Sequence, residues 1–381
     1  MATAAPETRF GTPEAVHRVT VDNLAELERC GAEAALRARL PGLRDAAAHR
    51  FARVGPRMEA RRASGRVREC HGDLHCGNVV RWEGRLVAFD GLEFDPALRF
   101  IDVANDVAFL SMDLAVRGRR DLRRALLDRW AEASGDYDAI ELLPYYETHR
   151  ALVRAKVAAL RAAQRPATAR AVEGDARRYV AWAVRNAAPE PPRLLVMAGL
   201  SGSGKTWLGT RLARAADALL LRSDVERKRL AGLAPLARSG SAPGGGLYTR
   251  EFNERTYARL CECVAACVRG GQSVVVDAAN LRRAERAAFL RIGDDAGAET
   301  AIVRCVAPLA TLRARIEARG ARGADASEAT VELLGRQPAY WEALTDDERT
   351  RVLTVDTGRP SEVEAALARF RRPVPAEMPD D

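Results

Sequence analysis

Residues 199–206 read GLSGSGKT and satisfy the pattern G-x-x-x-x-G-K-[ST] in full. Glycines at 199, 202 and 204 let a main chain wrap an anion, with its N–H groups turned inward at a helix start. Gly199, Ser201, Gly202, Ser203, Gly204, Lys205 and Thr206 are therefore the candidate phosphate-binding residues. Lys205 has the reach for the β- and γ-phosphates of a nucleotide, and the Thr206 hydroxyl suits Mg²⁺. The motif carries weight only between a strand and a helix. RLLVMA before it and TWLGTRLARAA after it read as those two elements.

Further residues extend this chemistry. ALLLRSDVERKRL reads as a strand ending near Asp224, with Arg227 about one helical turn later. A carboxylate there can take the proton of an attacking hydroxyl, and Arg227 would face the acceptor or its phosphate. The bland alternative is that Asp224 caps the next helix and Arg227 pairs with Glu226 or solvent. GGQSVVVDAANLRR supplies an apolar strand ending in Asp277, a candidate Mg²⁺ ligand beside Thr206. Asn280 and the arginines after it are expected to line the acceptor side. Arg315 and Arg319 are four apart, on one helix face. They suit either a lid that closes on a transferring phosphoryl group, hinged at Gly320 and Gly323, or a solvated helix.

The first half carries a second constellation. HGDLHCGN, residues 71–78, places His71, Asp73 and Asn78 in one loop, and a predicted strand pair near 78–90 leads to Asp90. Lysine occurs only at 156, 205 and 228, so none precedes this loop.

The elements that must position these residues differ between the halves. Helical patterns at 22–39, 119–133, 145–163 and 168–185 dominate the first. In the second, short strands at 193–198, 218–222, 273–277 and 301–306 alternate with helices, which reads as a parallel sheet. RNAAPEPPRLL between them is a Pro-rich connector. SGSAPGGGLYT (239–249) reads as a flexible loop, and the Pro-rich acidic tail (372–381) as disordered. The expected organisation is 1–188, linker 189–193, 194–371 and tail 372–381.

Composition excludes little but helps. The 381 residues carry 60 basic and 52 acidic side chains, a formal charge of +8, almost all of the basic ones arginine. The arginines are interspersed with Asp and Glu, so a nonspecific nucleic-acid binder is not favoured. Neither a secretory leader nor a run of about 20 apolar residues is present. Seven cysteines point to reduced thiols in the cytoplasm. Cys263 and Cys267 fit a buried helix face better than a metal site.

The second half, about 193–357, resembles the P-loop small-molecule and polynucleotide kinases (AAA_33-like, zeta-toxin-like and gluconate kinase-like proteins). GLSGSGKT, SDVERKR and RIEARG carry the resemblance. It implies an α/β three-layer P-loop NTPase domain using ATP and Mg²⁺. Asp224 would be the base, Arg227 a substrate-phosphate contact, Lys205 and Arg319 charge stabilisers, and Arg315 a nucleotide contact. The implied partner of ATP is a hydroxyl-bearing acceptor; a nucleic-acid end is weighed and not favoured.

RECHGDLHCGNVVRWEGRLVAFD resembles the aminoglycoside phosphotransferase and choline kinase-like family. That resemblance implies a mainly α, protein kinase-like C-lobe, with Asp73 as base and Asn78 and Asp90 as Mg²⁺ ligands. Arg99 and Asp102 would brace the loop. Residues 1–66 lack the Gly-rich strands and lysine of that family's N-lobe. The expectation is therefore a multidomain chain whose N-lobe is missing or lost. Its leading activity is phosphoryl transfer to a hydroxyl by the second domain. The rivals are a regulatory ATP-binding switch, or a phosphotransferase whose N-lobe lies outside this chain.

Overall fold

The computed structural model describes every residue except 1, 5–7, 31–33, 165–168, 242–244, 323–324 and 373–381. The tail beyond Arg372, Gly323 of the expected hinge, and 242–244 of the expected flexible loop lie outside the described residues. The chain forms two compact units, Met1–Leu126 with Ala139–Glu190, and Leu127–Asp138 with Pro191–Pro375.

The first unit is built on helices. α1 (Pro13–Arg29) starts at Thr12, whose hydroxyl accepts the Ala15 N–H, with Pro13 in the first turn. This is a strong start signal, since proline has no N–H to lose there. α2 (Ala34–Arg37) and α3 (Leu40–Ala63) follow. The expected single helix over 22–39 is instead the end of α1 and the four-residue α2. The Thr12–Pro13 cap and Pro41 in the first turn set the starts of α1 and α3. β1 (Val67–Glu69) pairs antiparallel with β4 (Phe100–Asp102). Between them β2 (Val79–Trp82) and β3 (Arg85–Ala88) form the expected hairpin. Its turn residues Glu83 and Gly84 both have positive φ (48° and 77°), the combination that a tight hairpin turn requires. α4 (Pro96–Arg99), α5 (Val103–Val116), α6 (Arg120–Ser134, of which the residues from Leu127 belong to the second unit), α7 (Leu143–Gln164) and α8 (Ala169–Ala187) complete the helices to Glu190. Leu24, Leu27, Leu40, Phe109, Met112, Leu152 and Val180 share one core. Burying side chains of this size contributes roughly 1.5–3 kcal/mol each.

The second unit holds a five-stranded, all-parallel sheet in the order β6-β7-β5-β8-β9. The strands are β5 (Arg193–Ala198), β6 (Leu219–Arg222), β7 (Val274–Asp277), β8 (Glu299–Val306) and β9 (Val352–Asp356). Four match the sequence expectation within two residues; β9, at the edge, was not expected. α9 (Lys205–Ala215), α10 (Ser223–Leu230), α11 (Arg250–Arg269), α12 (Arg283–Asp295), α13 (Leu309–Arg322), α14 (Val331–Arg336), α15 (Asp346–Arg351) and α16 (Pro360–Phe370) surround the sheet.

Strand alternation sorts the faces of that sheet. Leu195 and Met197 of β5 pack with Leu208 and Leu212 of α9 and with Val363 and Phe370 of α16. Their neighbour Leu194 points the other way, against Gly293 of α12. Helices on both faces of a parallel sheet make three layers. Cys263 and Cys267 are fully buried on α11, as their spacing predicted.

The strand order fixes where a site can form. β5 is central; the chain runs outward to β6, returns to β7, then crosses to β8 and β9. The carboxyl ends of β5, β6 and β7 therefore meet at the reversal of strand order, where open parallel sheets bind ligands.

Candidate active site

The loop after β5 adopts the strained geometry that its glycines permit. Gly199, Gly202 and Gly204 have φ of 143°, 80° and 86°, a region that other residues rarely occupy. Close packing reinforces the requirement. A Cβ on Gly202 would stand 2.5 Å from the Leu312 carbonyl of α13, and one on Gly199 2.5 Å from the Cys305 carbonyl. The loop is also braced from behind. The Thr357 hydroxyl, just past β9, donates to Ser203 O at 2.8 Å. Arg315 donates to Thr357 Oγ1 at 2.8 Å and to Gly202 O at 3.3 Å. The Ser201 N–H is taken by Gln337 Oε1 at 2.7 Å.

Lys205 opens α9, and its ammonium donates to Leu200 O at 2.9 Å. Burial lowers its pKa, while Asp277 and Asp224 oppose that shift. Asp277 ends β7 and is buried; burial raises its pKa, and the Thr206 hydroxyl and Lys205 pull it back. Thr206 and Asp277 thus meet side chain to side chain, as a shared metal ligand set requires. Arg222 stands 3.7 Å from Asp277 and bonds Asp325 at 2.6 Å.

Whether these residues fit a nucleotide's phosphates and a divalent cation can be tested on the loop itself. The Ser203 hydroxyl is buried with no hydrogen-bond partner. The Lys205 ammonium has a neutral carbonyl for its hydrogen bond. The Asp277 carboxylate presents a hard oxygen pair beside the Thr206 hydroxyl. An unmet donor, a desolvated cation and a hydroxyl–carboxylate pair fit polyphosphate with Mg²⁺. Thr206 and Asp277 would hold the ion, and Gly202 and Gly204 would supply main-chain N–H groups. The N–H groups of Gly199, Ser201 and Ser203, expected to do the same, are taken by Ala279 O, Gln337 Oε1 and Leu200 O.

Asp224 lies in the first turn of α10, but Arg222 holds the cap position and uses no side-chain cap bond. The capping alternative for Asp224 is not what the structure adopts. The alternative pairing of Arg227 fails as well. Glu226, fully buried, pairs with Arg229 and Arg259. Arg227 instead donates to Leu247 O at 2.9 Å and to Asn253 Oδ1 at 2.8 Å. Its guanidinium lies 5.1 Å from the Tyr248 ring centroid. Arg319 donates to Ala329 O, in the segment after α13.

One cavity of about 840 Å³ gathers these groups: Lys205, Thr206, Asp224, Arg227, Asp277, Arg315 and Arg319 all line it. The expectation for Asn280 is corrected. It is fully buried, with φ of 48°, and its amide donates to Met197 O, tying the loop after β7 to β5. Leu281 and Arg282 line the cavity in its place. Gln337, Thr357 and Arg222 were missed in the sequence. Only Arg222, at the predicted strand end, had a local signal.

In the first unit, Asp73 and Asn78 are brought together. The Asn78 amide donates to Asp73 O at 3.0 Å and to Asp73 Oδ2 at 3.1 Å. His75 Nδ1 accepts the Gly77 N–H, and its Nε2 lies 3.4 Å from Asp73 Oδ2 and 3.1 Å from the Arg154 guanidinium. The contact with His75 is the main reason the Asp73 pKa is lowered. Asp90 is exposed with φ of 61°, and the preceding Phe89 N–H donates to Asn78 O.

The clamp on this loop differs from the expected one. Asp102 pairs with Arg61 at 2.8 Å, and Arg99 pairs with Glu69. The loop N–H groups go to α5: His71 and Gly72 to Asp106, and Cys76 to Asp113. Arg150 of α7 holds Gly72 O. Asp102, Asp106 and Asp113 are spaced to share a helix face, a signal that was legible and unused.

Comparison with known proteins agrees with the second unit's assignment. Residues 194–344 match the AAA_33 family, described as an AAA domain. An uncharacterized protein of Mycobacterium tuberculosis, Rv2004c, is 30% identical over 284 residues, 73% of this chain and 56% of its own length. Mb2027c of Mycobacterium bovis matches to the same extent. The chain thus spans about half the length of these relatives. Among solved structures, a sugar kinase from Janibacter sp. HTCC2649 has a TM-score of 0.34 at 22% identity, over 47% of this chain and 92% of its own. A gluconokinase from Sinorhizobium meliloti 1021 has 0.34 at 23%, over 48% and 95%. The APS kinase CysC of M. tuberculosis has 0.34 at 20%, over 48% and 97%. The phosphate loop between β5 and α9, together with the AAA_33 match over residues 194–344, marks the second unit as a P-loop domain. Among the described residues, no helix is long and apolar enough to cross a membrane.

Proposed function

We propose that the second unit transfers the γ-phosphoryl group of ATP to a hydroxyl acceptor. The observation that carries this reading is the sharing of one cavity by Lys205, the Thr206–Asp277 pair and Asp224. Asp224 accepts the acceptor's proton as the acceptor oxygen bonds to the γ-phosphorus. The bond from that phosphorus to the β–γ bridging oxygen breaks, and ADP leaves. Lys205 and Arg319 stabilise charge on the transferring oxygens, Arg227 faces the acceptor or its phosphate, and Arg315 braces the loop against the nucleotide. Mg²⁺, when bound, neutralises phosphate charge and orients the terminal group.

The test is product analysis with γ-labelled ATP and Mg²⁺ against a panel of hydroxyl compounds. Label on an organic acceptor supports the reading. Label released only as free phosphate sinks it and favours an ATP-driven switch. Lys205→Ala is expected to abolish label transfer in the same assay.

For the first unit we propose a kinase C-lobe-like ligand-binding module, residues 1–188, joined through 189–193 to the domain at 194–371. The Asp73–Asn78 contact supports it, with Asp90 as a further candidate metal ligand. The free thiols of all seven cysteines accord with the cytoplasm.

A further inference from the structure

Helix α10 turns only one side to the cavity. Asp224 and Arg227, three apart, line it, whereas Val225, Glu226 and Arg229 fall on the opposite face and do not. That far face carries a buried charge cluster. The fully buried Glu226 carboxylate accepts from Arg229 Nε at 3.2 Å and from Arg259 Nε of α11 at 3.4 Å. Removing one partner of such a pair strands a charge out of water, so the placement of both guanidiniums matters.

The groups that complete those guanidiniums come from ahead of the Pro-rich connector. Residues Leu127–Asp138 belong to the second unit. Arg229 Nη2 donates to Glu132 O, and Arg259 Nη2 donates to Gly135 O at 2.7 Å. Glu132 lies in the last turn of α6, where carbonyls lack partners within the helix and the helix dipole favours a cation. Gly135 ends that helix with φ of 67°, and a Cβ there would stand 2.8 Å from Arg229 Cδ and Nε. The buried Tyr137 ring lies 6.0 Å from the Arg259 guanidinium. A further tie reaches the sheet. The Asp128 carboxylate accepts the Leu220 N–H at 2.8 Å, on edge strand β6 just ahead of Asp224. These ties converge on β6 and α10, the stretch of chain that carries Asp224. An eight-residue helix is marginal by itself and takes its order from what it packs on.

We infer that residues 127–138 form a hook that positions α10, with Glu226, Arg229 and Arg259 as the positioning residues that pass its hold to Asp224 and Arg227. The inference rests on the proposed phosphotransfer for what Asp224 does, while the hold on α10 stands on the hydrogen bonds themselves.

The test uses the full chain and two variants outside the cavity lining. Arg259→Met keeps the apolar stem and removes the bonds to Gly135 O and Glu226. Gly135→Ala pushes on Arg229 from the hook side. Gly297→Ala is the control, with a similar φ of 65° but nothing within 4 Å of the added Cβ. Amide hydrogen exchange across 224–230 is expected to quicken at least about tenfold in both variants, with α9 unchanged and the control like wild type. At saturating ATP, label transfer to the panel compound that accepts it should fall about tenfold or more, with ATP-analogue affinity moving less than about twofold. A hook that merely covers the sheet edge would loosen α9 and α10 alike and weaken analogue binding in step with transfer. That result, or unchanged α10 exchange in both variants, overturns the inference. Faster exchange confined to α10, in a protein that labels no organic acceptor, keeps the hook and removes the phosphotransfer reading. Label reaching an acceptor at the wild-type rate in both variants, with α10 exchange unchanged, removes the hook and keeps the phosphotransfer.

Discussion

At the residue scale, the proposed transfer turns on Asp224. Its neighbours Arg227 and Lys228 are engaged elsewhere, Arg227 by Asn253 and Lys228 by Glu328 at 3.3 Å, so its carboxylate has no close ion pair among the described residues. Asp224→Asn keeps the shape and removes the base. Transfer should fall on the order of 10²- to 10⁴-fold, with ATP-analogue affinity unchanged. A variant that turns over at the original rate would take Asp224 out of the base role. Gly202 tests the cradle. In Gly202→Ala the new Cβ meets the backbone of Leu312 at 2.5 Å, at a φ of 80° that alanine disfavours. Helix α13 must shift, carrying Arg315 with it, or the loop must refold. Either outcome should cost about 1–3 kcal/mol of stability and at least about tenfold in ATP-analogue affinity. Denaturant titration and analogue binding measure the two; wild-type values for both would remove the packing argument. These residues were readable from sequence because eight contiguous positions hold the whole cradle. Thr357 and Gln337 were not, because each reaches the loop from more than 130 positions away through a single hydrogen bond.

At the scale of elements, the second unit was the more legible. Short apolar runs mark buried parallel strands, and four of the five were found that way. β9 escaped because Val352–Asp356 is short, lies at the sheet edge and is only partly buried. Helix starts in the first unit were legible in principle through Thr12–Pro13. They were lost because Ala/Arg-rich sequence has helical propensity nearly everywhere and little periodicity. α7 carries an element-level prediction. His149 is buried, bonds Thr20 Oγ1 at 2.9 Å, and has its pKa driven well below 6.5, first by burial and then by Arg150 and Lys156. The neighbouring network includes Tyr145, which bonds Thr20 and His17, whose pKa is also lowered by burial. A depressed pKa means that the unfolded chain binds a proton the native helix refuses. The contribution to stability is complete above about pH 6.5 and is lost as pH falls below it. Between pH 7.5 and 5.5, His149 alone should cost up to about 1.4 kcal/mol. His149→Gln should flatten that part of the loss in denaturant titrations at the two pH values. An unchanged slope would mean that His149 is protonated in the native state.

At the scale of the whole molecule, each unit has its own core, one centred on Leu24, Phe109 and Leu152, the other on Met197, Leu212 and Val303. No residue belongs to both. Such a chain is not expected to melt as one cooperative body, so calorimetry should resolve two transitions. A ligand held by the phosphate loop stabilises only the unit that contains it. At about 100 times its dissociation constant, an ATP analogue with Mg²⁺ adds about 2.7 kcal/mol, and one transition should move upward while the other stays. Leu24→Ala identifies the second. That residue is fully buried in the first core, and its truncation should lower the ligand-insensitive transition by about 2–5 kcal/mol. If the analogue shifts both transitions equally, the units are thermodynamically coupled, and the first unit then reports nucleotide binding in the second. If Leu24→Ala lowers the ligand-sensitive transition alone, the assignment of the nucleotide site to the Lys205 loop is wrong.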